Sequence, residues 1–110
     1  MVIIRGTNIY PGQVESAIMK DSKVGNNWRM IINTDKNDMD QLTVEVETKK
    51  LLSQVDQEKL ENKLVNDIKQ VIVFTPHVSI LPPNGIEQKG LKAKRVIDNR
   101  KKEWKNERKS

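Results

Sequence analysis

Gly90-Leu91-Lys92-Ala93-Lys94-Arg95 sets three cations within four residues, just after the turn-forming Pro82-Pro83-Asn84-Gly85. A glycine ahead of a lysine lets backbone approach a ligand closely. The lysine adds a compact charge with three donors, suited to phosphate or carboxylate oxygens. A solvated basic loop has the same composition, so the run alone decides nothing. A second stretch, Ile3-Ile4-Arg5-Gly6-Thr7-Asn8-Ile9-Tyr10-Pro11, lies at the other end of the chain and changes the balance. Its Gly6 can take a positive φ at little cost, which suits Arg5-Gly6-Thr7-Asn8 to a turn-forming loop. His77 is the one histidine and has no cysteine partner, so a structural role fits it better than metal ligation. Trp28 and Trp104 read as packing or surface residues, not as a base-stacking pair.

These residues need a platform, and 110 residues suffice for one domain with a modest core. Charged residues make up 32% and hydrophobic residues 35%, and the apolar ones are patterned, so the chain is foldable and its core thin. The net charge of +5 is concentrated at one end. From Lys92 to Ser110 there are nine Lys or Arg against three acids, and the rest is near neutral. The absence of cysteine excludes disulfides and thiolate metal sites. No apolar run approaches membrane-spanning length, and the start lacks the pattern of a signal peptide, so the cytoplasm is the expected location.

Val2-Ile3-Ile4 is short and β-branched, as in a strand, and its abrupt start suggests a piece of something longer. Tyr10-Pro11 opens a helix with Val14, Ala17 and Ile18 on one face, fading at Lys20-Asp21-Ser22. Gly25-Asn26-Asn27 reads as a loop, and Trp28 to Ile32 as a strand. The cluster Asp35-Lys36-Asn37-Asp38 predicts a hairpin. Leu42 to Thr48 alternates, with Leu42, Val44 and Val46 toward a core and Thr43, Glu45 and Glu47 toward water. A second helix, capped by Ser53 or Asp56, carries Leu60, Leu64, Ile68 and Val71 at spacings of four, four and three. The apolar run Val71 to Phe74 breaks at Thr75-Pro76. A last main strand runs from His77 to Leu81, Lys94 to Ile97 forms a short strand or turn, and Asp98 to Ser110 is a charged tail. The order β-α-β-β-α-β predicts an α+β fold: a ferredoxin-like split βαβ sandwich, its antiparallel sheet carrying two helices on one face.

Three segments carry a resemblance. Ile3 to Glu15, with its Arg-Gly, Asn8, Tyr10-Pro11 and Gln13/Glu15, resembles the opening of the C-terminal domain of phenylacetate–coenzyme A ligases, in the adenylate-forming acyl-CoA ligase superfamily. Leu42 to Glu47 and Lys92 to Arg100 resemble that family's later blocks, in order and at about the right spacing. The likeness covers residues 2 to about 100. It departs at one point: the family usually has glycine directly before the lysine, whereas here Leu91 intervenes after Gly90.

The resemblance implies a lid domain, residues 1–100, followed by a charged tail, residues 101–110. It implies an N-terminal adenylating domain as partner, which binds ATP, the acid and most of the Mg2+, and it leaves a homodimer open. It also implies two half-reactions: adenylation of an aryl or aryl-acetic acid, phenylacetate by default, then thioester formation with coenzyme A. Lys92 is the expected catalytic lysine, with Lys94 as the alternative two residues on. Arg5, Gly6, Thr7, Asn8, Gly90, Lys94 and Arg95 are the expected nucleotide and coenzyme A channel residues, and no metal ligand is expected among them. The isolated domain is expected to be inactive. A rival class is a basic nucleic-acid-binding module on the same fold. Such a sheet wants exposed aromatics on its central strands, and Leu42 to Thr48 has none.

Overall fold

A computed structural model describes residues 2–86 and 95–100. Strands β1 (Val2–Ile4) and β2 (Thr7–Ile9) form a small antiparallel hairpin, followed by helix α1 (Pro11–Ile18). The main sheet contains β3 (Val24–Thr34), β4 (Asp40–Thr48), β5 (His77–Leu81) and β6 (Val96–Asp98), in the order β5-β4-β3-β6. Helix α2 (Gln54–Ile72) joins β4 to β5.

One core serves the whole fold. Met30 and Ile32 of β3 and Leu42, Val44 and Val46 of β4 point into it. They meet Val14 and Ile18 of α1, Leu60, Leu64, Ile68 and Ile72 of α2, and Ile4 and Ile9 of the hairpin. The alternation read in β4 and the apolar stripe read in α2 are the two faces that make this contact, except that the stripe ends on the buried Ile72 and not on Val71, which is half-buried. Pro11 occupies the first turn of α1, and the Ser53 hydroxyl accepts the Asp56 N–H at 3.2 Å to cap α2.

The α+β class with two helices stands, but the strand directions differ from expectation. Only β3 and β4 pair antiparallel within the main sheet; β5 runs parallel to β4, and β6 parallel to β3. The helical crossover from β4 is the reason for β5, since such a connection returns the chain in the same direction. One-sided alternation is blind to this, because it reports a wet face and not a direction. β1 does not join the main sheet; the place beside β3 is taken by β6. Three further readings are corrected. Thr7 and Asn8, read as loop, belong to a strand, Thr7–Ile9. Gly25-Asn26-Asn27 lies inside β3, at a bulge between Val24 and Trp28. Glu47 is buried, not facing water.

Candidate functional site

The expected site residues fall in two places. Arg5 and Gly6 are the two-residue turn between β1 and β2, with φ of 53° and 72°. Positive φ at both central positions is what a tight hairpin of this length requires. A Cβ added at Gly6 would meet nothing within 4 Å, so the turn presents open, unobstructed backbone. Arg5 is occupied elsewhere: its Nε donates to the Asp40 carbonyl at 2.8 Å, and its guanidinium lies 5.1 Å from the centre of the Phe74 ring. Asn8 is exposed and Thr7 half-buried.

Arg95 stands at the other end of the sheet. Its carbonyl accepts the Met30 N–H at 2.6 Å. Its guanidinium donates to the carbonyls of Trp28 at 2.9 Å and Asn26 at 3.3 Å, and lies 5.2 Å from the centre of the buried Trp28 ring. The indole N–H in turn donates to Glu15 of α1 at 3.1 Å. Gly90, Lys92 and Lys94 lie outside the described residues, as do the charged tail and Trp104. What is described is the segment's two stems.

The first stem leaves β5 through a turn in which the Gly85 N–H donates to the Pro82 carbonyl at 2.9 Å. Pro83 and Asn84, the latter at φ 63°, fill the central positions as a type II turn prefers. A Cβ at Gly85 would sit 2.8 Å from both Leu81 Cβ and the Pro82 carbonyl oxygen, so the turn admits only glycine without rearrangement. Ile86 then donates its N–H to Glu47 Oε2 at 2.7 Å, and Asn27 donates to Glu47 Oε1 at 3.1 Å. Both stems therefore rest beside the β3 bulge. The Arg5-Gly6 turn sits against Asp40, at the far end of β4 from Glu47. Seven residues of strand, on the order of 24 Å, separate the two regions.

The structure adds a group that the sequence reading left without a role. Arg100 donates to the Ile3 carbonyl at 2.6 Å, to Asp40 Oδ2 at 3.0 Å and to both oxygens of Asp98, at 2.9 and 2.7 Å. Its hydrogen bond with Asp98 foremost, and that with Asp40, hold its pKa above the ordinary arginine range. The spacing Asp-x-Arg was the only signal in the sequence. These two carboxylates are bonded to a guanidinium, and no described group of three or more His, Cys, Asp or Glu is disposed to hold a metal ion.

Residues 6–100 match the family model of the AMP-binding enzyme C-terminal domain. The chain belongs to that family.

This AMP-binding C-terminal domain is 38% identical over 108 residues to the phenylacetate-coenzyme A ligase of Aromatoleum evansii, covering 94% of the chain and 24% of that protein. To the phenylacetate-coenzyme A ligase of Escherichia coli K12 it is 30% identical, covering 89% and 23%. The chain thus spans about a quarter of the length of these relatives. Its fold matches the crystal structure of a domain of phenylacetate-coenzyme A ligase from Bacteroides vulgatus, with a TM-score of 0.83, 29% identity and coverage of 93% and 94%. It matches equally a 2-hydroxyisobutyryl-CoA ligase in complex with its acyl adenylate (2-HIB-AMP) and CoA in the thioesterification state, with a TM-score of 0.83, 28% identity and coverage of 99% and 23%. On the outer sheet face, Arg29 pairs with Glu45 across β3 and β4. No described aromatic stands there for a nucleic-acid base to stack on.

Proposed function

We propose that this chain is the lid domain of an aryl-acid coenzyme A ligase, working with an adenylating domain of the same protein. Phenylacetate is the expected acid, ATP and coenzyme A are the co-substrates, and the cytoplasm is the place of work. In the first half-reaction the acid's carboxylate attacks the α-phosphorus of ATP and pyrophosphate leaves. Negative charge gathers on the phosphoryl oxygens, and the Lys92 ammonium lowers its cost. In the second, the coenzyme A thiol attacks the acyl carbon and AMP leaves, past the flat backbone of the Arg5-Gly6 turn. Magnesium chemistry belongs to the adenylating domain, not to the described residues of this one.

One observation carries the reading. The stems of the lysine segment and the Arg5-Gly6 turn lie at opposite ends of β4. A domain so built presents one end at a time to a single reaction centre, and rotation between steps exchanges them. The relatives' names support the reaction class.

The test is a pair of single-turnover assays in the protein that joins this chain to its adenylating domain. Lys92→Ala should slow adenylation by about 10²–10³-fold, the usual loss for one aimed donor, and spare thioester formation from pre-made acyl adenylate. Gly6→Trp should do the reverse. Lys94→Ala is the control for register. If neither lysine matters to adenylation, the reading fails.

A further inference from the structure

We propose that Arg100 and Asp40 are positioning residues for the thioester-forming step: together they clamp the β1–β2 hairpin to the sheet and so set where the Arg5-Gly6 turn stands. The inference rests on the role given to that turn above.

Among the described residues β1 and β2 pair only with each other, so no ladder of backbone hydrogen bonds ties the hairpin to the main sheet. Ile4 and Ile9 are fully buried and hold its inner face down. Apolar burial is non-directional, so it leaves the tilt of the turn to polar contacts. Two of these meet at Asp40, the first residue of β4. Its backbone carbonyl accepts from Arg5 Nε at 2.8 Å, inside the turn itself. Its carboxylate accepts from Arg100 at 3.0 Å, and the same guanidinium nitrogen donates to the Ile3 carbonyl at 2.6 Å. Ile3 pairs with Asn8, one step from the Ile4–Thr7 pair that closes the turn. Hydrogen-bonded and non-bonded positions alternate along an antiparallel pair, so the Ile3 carbonyl faces out from β2, where Arg100 takes it. The guanidinium is itself fixed by both oxygens of Asp98, at 2.9 and 2.7 Å. A two-pronged bond of that kind sets the plane of the group, and the remaining nitrogen then aims at the hairpin. The Arg100 and Asp40 side chains are only 23% and 26% exposed, which shelters their bond from screening. Single ion pairs near the surface add little to stability. Placement is different, since a shift of about 1 Å beside reacting atoms can cost on the order of 10²-fold in rate.

The test uses the protein that joins this chain to its adenylating domain. Asp40→Asn keeps the shape and the backbone carbonyl but loses the charge. Arg100→Lys keeps the charge but loses the fork that reaches Asp98 and Ile3 together. Each should slow single-turnover thioester formation from pre-made acyl adenylate, at saturating coenzyme A, by about tenfold. Adenylation should stay as in the parent. The double variant should be no slower than the slower single one, because the two residues act as one clamp. Amide exchange in residues 3–8 should quicken while that in α2 does not. Equal losses in both half-reactions, or exchange that quickens in α2 as well, would overturn the proposal and leave the pair as a fold stabiliser. If Gly6→Trp hinders thioester formation and neither clamp variant does, the positioning role fails while the lid reading survives. If Gly6→Trp is itself without effect, both fall.

Discussion

Replacing Val73 by glycine should stabilise this domain. Val73 follows the last residue of α2 with φ 80° and ψ −18°, and its N–H closes the helix on the Lys69 carbonyl at 2.9 Å. Helices commonly end this way, but with glycine in that place. Among the described residues four non-glycine positions have positive φ, Arg5, Asp38, Val73 and Asn84, and Val73 is the β-branched one. A β-branched side chain is the most strained occupant of the left-handed region. Its Cβ crowds the following carbonyl at a cost of roughly 1–2 kcal/mol. Val73 is 78% exposed, so loss of its side chain forfeits little burial. Against the relief stands the added freedom of glycine in the unfolded chain, about 0.5–1 kcal/mol. The net expectation is a gain of up to about 1.5 kcal/mol, about 0.75 kcal/mol at the middle of the range, which is a rise in Tm of about 3–6 °C for a domain of this size. Urea unfolding gives the free energy, and a thermal melt the shift. Val73→Ala should gain less, since it keeps the Cβ. A Val73→Gly chain that unfolds at lower urea than the parent would refute the strain argument and mean that the Val73 side chain has a partner worth more than the strain.

Two further expectations concern the fold. Leu64→Ala, at a fully buried position of α2, should cost about 2–5 kcal/mol by lost transfer and the cavity left behind; a loss below 1 kcal/mol in urea would mean that the core collapses around the gap. Asp35 accepts the N–H groups of Met39 at 2.9 Å and Asn37 at 2.8 Å in the β3–β4 turn, and these bonds hold its carboxyl below the usual range. Its contribution is therefore complete above the unfolded carboxyl value and is lost as pH falls through the lower folded one. The stability gap between the parent and Asp35→Ala should be present at about pH 7 and shrink at about pH 3; a gap of equal size at both would remove the carboxylate from the account.

What the sequence disclosed depended on how far along the chain each contact reaches. The α2 stripe and the β4 alternation are local periodicities, so both were readable, as was the Ser53 cap. The three-residue β2 was not, because Thr7-Asn8-Ile9 is too short to show a period. Glu47 fits a polar-out pattern and reads as wet; what buries it is a stem 39 residues further on. Arg100 meets Ile3 across 97 residues, a pairing that no window of sequence displays. Gly6 and Arg95 were singled out as ligand-facing, and the structure gives each a local task as well, one in a tight turn and one on a tryptophan face. The parallel pairing of β5 and β6 follows from chain routing, to which hydropathy is indifferent.

That routing has a consequence for how the domain assembles and where it yields. β3 and β4 are separated only by residues 35–39, so their pairing closes a short loop at small entropic cost. The edges wait on longer closures: β5 on the whole of α2, and β6 on the segment between Leu81 and Val96. Native contacts with long closures form late and open early. Among the described residues the three-residue β6 pairs on one side only, and its long closure makes it the strand expected to join the sheet last. The stem it carries can loosen while the β3–β4 hairpin and its helices stay folded.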